Sequence, residues 1–191
     1  MENYTIGQLL KNMRTQLGVT QQKLAGSFIE RATLSKIEAG KRTASVHTMD
    51  VLFERLGYSL RRYFPAMLSA DEKAFYDKRE QVNACIRTGD ARGIAQGIAE
   101  LEAGPLYHDP KYIKDGMVHQ FVASSKAALV LLEKGDMQQA MTLLNRAIAY
   151  TIPKYEDKMV HTYLLTIEDI EIITMMAEVH EKQTTATAPY C

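Results

Sequence analysis

Apolar residues in this chain recur at helical spacing from one end to the other, and its five prolines, at positions 65, 105, 110, 153 and 189, fall between the periodic stretches. A proline inside a helix removes a hydrogen bond and clashes with the preceding turn, so prolines placed this way act as punctuation. Val, Ile and Thr rarely alternate at period two, as the strands of a half-buried sheet would require. The pattern predicts an all-α protein.

The first sixty residues divide into short helices. Ile6, Leu9, Leu10 and Met13 form one apolar stripe, ended by Gly18. Thr20 suits the N-cap of a second helix, with Leu24, Ala25 and Phe28 facing inward. A third helix runs from Glu30 to Ala39, with Leu34 and Ile37 on one face and Gly40 as its stop. A fourth covers about Val46 to Leu56, carries Met49, Leu52 and Phe53, and closes at Gly57. Four or five such helices make a small bundle around one core.

The chain has no net charge, but the charge is unevenly spread. Residues 1–62 hold ten Lys/Arg against five Asp/Glu, a surplus of +5, which leaves −5 for the remainder. A basic N-terminal part on an acidic remainder suits a head that binds a polyanion. The third helix is where that charge collects. With Leu34 and Ile37 turned inward, at about 100° per residue its opposite side carries Ala32, Ser35, Lys36 and Ala39. Arg31 stands on the shoulder, and Lys41 and Arg42 lie just past the end. A face this smooth fits a groove about 12 Å wide and still offers donors to base edges. A merely solvated face on a core helix has the same composition.

The segments TQQKLA, LSKIEAGKR and LFERLGYSL, in that order over about residues 5–62, resemble the Cro-type, phage-repressor-like helix-turn-helix family. The resemblance implies a five-helix, lambda-repressor-like DNA-binding domain over residues 1–63. It also implies roles position by position. Gln21 would hydrogen-bond a phosphate, Arg31, Ala32, Ser35 and Lys36 would face the major groove, and Lys41 and Arg42 would hold the DNA backbone. Arg14 and Glu38 match a pair that forms a partly buried ion pair between the first and third helices. Two features depart from the family pattern. The turn between helices two and three is one residue shorter than its commonest version, and Glu30 stands where Ser or Thr usually caps. Glu30 either turns inward to cap the positive end of the helix or reaches the amino group of a cytosine.

The short turn in LAGSFIERATLSKIEAGKR is similar to the form found in peptide-responsive regulators of the Rgg and PlcR type, which serve quorum sensing. There, tetratricopeptide-like helices follow the head, and the remaining chain carries repeat-like features of its own. Two Gly-Asp turns, at Gly89-Asp90 and Gly135-Asp136, lie 46 residues apart, against roughly 34 for a standard unit. Around the second, Ala128, Ala140, Leu144 and Ala147 take positions where small or apolar residues let paired helices approach, and Pro153 ends the unit. Ordinary helical hairpins with Gly-Asp turns are the plainer alternative. The expected domain covers residues 66–183, for sensing and dimerisation, with a disordered tail over 184–191.

In the resembled regulators a short peptide lies along the concave side of the repeats, clamped by side-chain amides. Asn83, Gln120 and Asn145 are amides on predicted helices and are the candidates here, though a capping or solvated amide would look the same. A third repeat begins at TIEDIEIITMMAEVHEKQ and lacks a partner helix. A naturally shortened regulator, a cut chain or a last helix that packs alone would each leave it so. The face with Ile170, Ile173, Met176 and Val179 is therefore either a dimerisation surface or buried against the preceding repeat.

Other chemistry finds little support. The histidines at 47, 108, 119, 161 and 180 show no metal-ligand spacing, and no glycine loop follows a strand. No metal, cofactor or enzymatic activity is expected. The acid pairs Asp71-Glu72 and Glu168-Asp169 read as charge at helix starts. Two cysteines, Cys85 within an apolar pattern and Cys191, build no disulfide framework. No signal peptide is evident, and the apolar run Ala127–Leu132 is far short of the roughly 20 residues a membrane span needs. A reducing, cytoplasmic setting is expected. The sequence as a whole predicts a dimeric, sequence-specific transcriptional regulator bound to a double-stranded operator. A helical scaffold or antitoxin-like partner module with weak DNA binding is the alternative.

Overall fold

A computed structural model describes residues 5–60 and 68–187, and those residues are helical without a strand. They separate into two compact units. The first holds the N-terminal helices together with Thr151–Ile167, and the second holds Ser69–Tyr150 and the chain from Glu168 onward. The expected two-domain order along the chain therefore has one exception: residues 151–167, placed beforehand in the C-terminal domain, cluster with the head.

The head contains α1 (Ile6–Gln16), α2 (Gln21–Ala25), α3 (Arg31–Glu38) and α4 (Val46–Glu54). The family resemblance implies a five-helix domain over residues 1–63, of which 61–63 lie outside the described residues. Thr5, Thr20 and Ser45 start α1, α2 and α4, each accepting a hydrogen bond from the backbone two or three residues into its helix. The core is Leu10, Leu24, Ala25, Leu34, Ile37, Met49, Leu52, Phe53, Leu56 and Leu60, with Ile6, Leu9 and Met13 half-buried around it. α3 packs on both α1 and α2. Gly7 allows the first of these contacts, because a methyl group there would collide with the Ile37 carbonyl.

The second unit contains α5 (Ala70–Thr88), α6 (Ala91–Ala103), the short α7 (Pro105–His108) and α8 (Pro110–Asp115), then α9 (Met117–Glu133), α10 (Met137–Ile148) and α11 (Ile167–Thr187). α5 pairs with α6 and α9 with α10, and α9 also packs on α6 and α5. One device closes both pairs. Gly89 and Gly135 adopt φ of 70° and 61°, a region that side-chain-bearing residues disfavour. The aspartate that follows then caps the next helix, Asp90 accepting from the Gly93 N–H at 3.1 Å and Asp136 from the Gln139 N–H at 2.9 Å. Ala140, Leu144 and Ala147 are fully buried, as expected, while Ala128 is half-buried. Proline occupies the first position of α7 and α8, where the missing N–H costs nothing.

Several expectations are corrected. The last helix continues through Thr187, so the tail expected from 184 is helical for its first four residues, and the rest lies outside the described residues. Ile172, Met176 and Val179 of α11 are buried, Ile170 is exposed and Ile173 half-buried. The stripe grouped as one surface is thus split between core and solvent. Cys85 is half-buried rather than in the core. The acid pairs do stand in the first turns of α5 and α11, as expected, and three of the four residues make further contacts there. Glu72 completes a capping box with Ser69 and accepts from the Tyr112 hydroxyl at 2.6 Å. Glu168 and Asp169 are buried against Arg79 and Gln120. Among the described residues, no helix is long and apolar enough to cross a membrane.

Candidate nucleic-acid interface

The candidate interface is built by α2, the turn after it and α3. Gly26 ends α2 with φ of 55°, and the chain reaches Glu30, the N-cap residue of α3, within a few residues. At the far end the Gly40 N–H donates to the Ile37 carbonyl at 3.0 Å and the Lys41 N–H to the Lys36 carbonyl at 2.9 Å. These bonds satisfy carbonyls that a helix end leaves without partners.

A buried ionic group fixes α3 against α1. The Arg14 guanidinium donates through Nε and Nη2 to the two oxygens of Glu38, at 2.6 and 2.9 Å, and through Nη1 to the Val19 carbonyl at 2.7 Å. Arg14 and Glu38 are 8% and 2% exposed, so the pair expected from the resemblance is in place. Hydrogen bonding to Glu38 pushes the Arg14 pKa up, outweighing the opposing effect of burial. The Gln21 amide, expected on a phosphate, donates to Glu38 Oε2 at 2.9 Å. One of its N–H groups is therefore spent on positioning α3.

The outward side of α3 carries the residues the sequence placed there. Arg31, Ala32 and Lys36 are exposed, Ser35 is half-buried, and Lys41 and Arg42 are exposed beyond the helix end. Arg42 folds back so that its Nη1 donates to the Thr33 hydroxyl at 3.3 Å, which draws a cation along the helix flank. Glu30 does not cap α3 through its side chain and is exposed. Of its two expected roles, inward capping is absent. The arrangement is a narrow, largely cationic ridge able to donate hydrogen bonds.

Arg55, which the sequence reading passed over, is buried at 8% exposure. It donates through Nη1 to the Leu24 and Ala25 carbonyls and through Nη2 to the Thr151 carbonyl, each at 3.1 Å. Its guanidinium lies 5.4 Å from the centre of the Phe28 ring in the turn. A lone cation in the apolar run VLFERLGYSL was its only sequence signal.

The amides proposed for a peptide are scattered in character. Gln120 is 3% exposed and its Nε2 donates to Asp169 at 3.3 Å, which makes it part of the packing and closes it to a ligand. Asn83 is half-buried and Asn145 exposed.

A helix entered through a tight turn, braced from behind and cationic in front has the geometry of the second helix of a helix-turn-helix pair. Residues 10–62 match the helix-turn-helix family, a little over a quarter of the chain. The N-terminal unit thus carries a helix-turn-helix domain of the kind found in DNA-binding transcription regulators. No curated protein and no solved structure matches the chain.

Proposed function

We propose that the protein is a sequence-specific regulator of transcription that binds a double-stranded operator as a homodimer. The observation that carries this reading is the exposed face of Arg31, Ala32 and Lys36 on a helix whose opposite side is locked by Arg14 and Glu38. Ser35 at the edge of that face and Arg31 and Lys36 donate to base edges. Lys41 and Arg42 take phosphates, and Gln21 retains one amide N–H for the same purpose. One small head covers one half-site, so two heads on a dimer, spaced about one helical turn, supply useful affinity.

Selection from a random DNA pool with the purified chain tests the reading. It should return a two-fold-related operator whose affinity falls steeply with salt. Lys36→Ala should relax base preference at one position by about 1–3 kcal/mol, whereas Lys41→Ala should weaken all sequences alike and flatten the salt slope by about one. Capture of a single protein partner with no operator would instead favour the scaffold or antitoxin-like reading.

The similarity to Rgg- and PlcR-type regulators extends the proposal to a short peptide effector on tetratricopeptide-like helices of the second unit. Asn83 and Asn145 remain as candidate clamps. A peptide that binds the folded form raises the melting temperature, and Asn145→Ala should reduce that rise.

A further inference from the structure

The segment Thr151–Ile167 leaves the second unit after Tyr150, packs within the first, and rejoins the second at Glu168. It is well anchored. Thr151 and Ile152 are 0% and 1% exposed, and Leu164 packs against the head core. Between the anchors the chain is closed on itself by Tyr163. Its hydroxyl accepts from the Glu156 N–H and donates to the Lys154 carbonyl, both at 3.1 Å, and its ring lies 5.9 Å from that of Tyr155. A six-residue turn of 3-10 helix, Asp157–Thr162, fills the middle. Burial and a hydrogen bond with Asp157 push the Tyr155 phenol up to about 12, so the neutral ring persists at all ordinary pH.

Arg55 joins this strap to the helix-turn-helix. It donates to the last two carbonyls of α2 and to the Thr151 carbonyl. The planar guanidinium reaches these carbonyls from two fixed nitrogens, which a single ammonium nitrogen does not, and a cation suits a helix C-terminus. Releasing the strap removes the Thr151 carbonyl from Arg55 Nη2. The turn that aims α3 then loses its cap and its Phe28 contact together.

We infer that the strap is a latch on the helix-turn-helix, with Arg55 as the positioning residue, so that strap and turn open as one event. Because both ends of the strap run into the second unit, a change there reaches the DNA-reading helix through the covalent chain. Linkage requires the reverse effect to be equal.

Hydrogen exchange on the intact wild-type chain in low denaturant tests this without DNA, so failure here is separable from failure of the regulator reading. Reporters are the bonded amides of Leu24, Gly26 and Phe28 in α2 and the turn, Met159 and Tyr163 in the strap, and Ala140 in α10. Turn and strap should share one denaturant dependence that leaves Ala140 behind. Any other grouping, a single dependence for the whole chain included, overturns the latch. Two variants read it from either end. Ile152→Ala should speed exchange of the turn amides about tenfold or more, and Arg55→Lys should do the same to the strap, since an ammonium keeps the charge and loses the fork. If Arg55→Lys leaves the strap as slow as wild type, Arg55 does not join the two.

Discussion

Each unit buries a carboxylate against an arginine from another helix, and the two are finished differently. In the head, Glu38 receives two bonds from Arg14 and one from Gln21, all within 2.9 Å. In the second unit, Glu168 meets Arg79 at 3.1 Å and the Ser124 hydroxyl at 3.5 Å. Burial there pushes the Glu168 carboxyl up, more than Arg79 pulls it down. The head has short helices, and a well-satisfied ionic group helps to set its geometry. The second unit has helices of 12 to 21 residues in its two pairs and α11. Apolar packing sets the register there, and a less complete polar contact is tolerated. Buried ion pairs add little net stability but are costly to break from one side.

That contrast can be broken in graded steps. The largest effect should come from Glu38→Ala, which leaves the Arg14 charge buried. A loss of about 3–5 kcal/mol in the stability of the head is expected by chemical denaturation. Next, Leu144→Ala should cost about 2–5 kcal/mol through the cavity it opens, read as faster exchange of the α10 amides. Should the α10 amides keep their wild-type protection, apolar packing is not what sets that unit.

Two titrations sharpen the comparison further. Glu168 binds its proton more tightly in the folded state than in the unfolded one. Its contribution is therefore complete below the ordinary glutamate range and is lost as pH rises through the folded value. Glu168→Gln should flatten that limb of a plot of melting temperature against pH. His119 has the opposite sign. Burial first, then the charges of Arg146 and His108, hold its pKa below the usual histidine value. Its contribution is present above the ordinary histidine range and disappears as pH falls through the folded value. His119→Gln, the smallest effect of the four, should remove that acid limb and leave Glu168 behaviour untouched.

Much of the head was legible beforehand because its signals are local. Thr5, Thr20 and Ser45 cap helices two or three residues away, and Leu34 and Ile37 face inward because a helix of 3.6 residues per turn puts them there. The same periodicity put Ala32 and Lys36 outside. Arg14 and Glu38 were paired through the family resemblance, not through spacing. Less legible was what depends on a partner elsewhere in the chain. Gln120 looked like any helical amide until Asp169 closed over it. Glu30 had the chemistry of a cap but not its hydrogen bond. On α11 the buried face runs through Ile172 rather than Ile173, because nearly every position near the turn is apolar and periodicity cannot choose among them.

Helix content, the starts of α1, α2 and α4 and the outward face of α3 were determined by the amino-acid sequence alone, since propensity, capping and periodicity act within a few residues. The return of Thr151–Ile167 to the head, and the Thr151 carbonyl that Arg55 reaches across 96 residues of chain, were decided only in the tertiary structure. Such contacts form when the apolar surface buried by Ile152 and Leu164 outweighs the entropy of closing a long loop. No short stretch of residues records that balance.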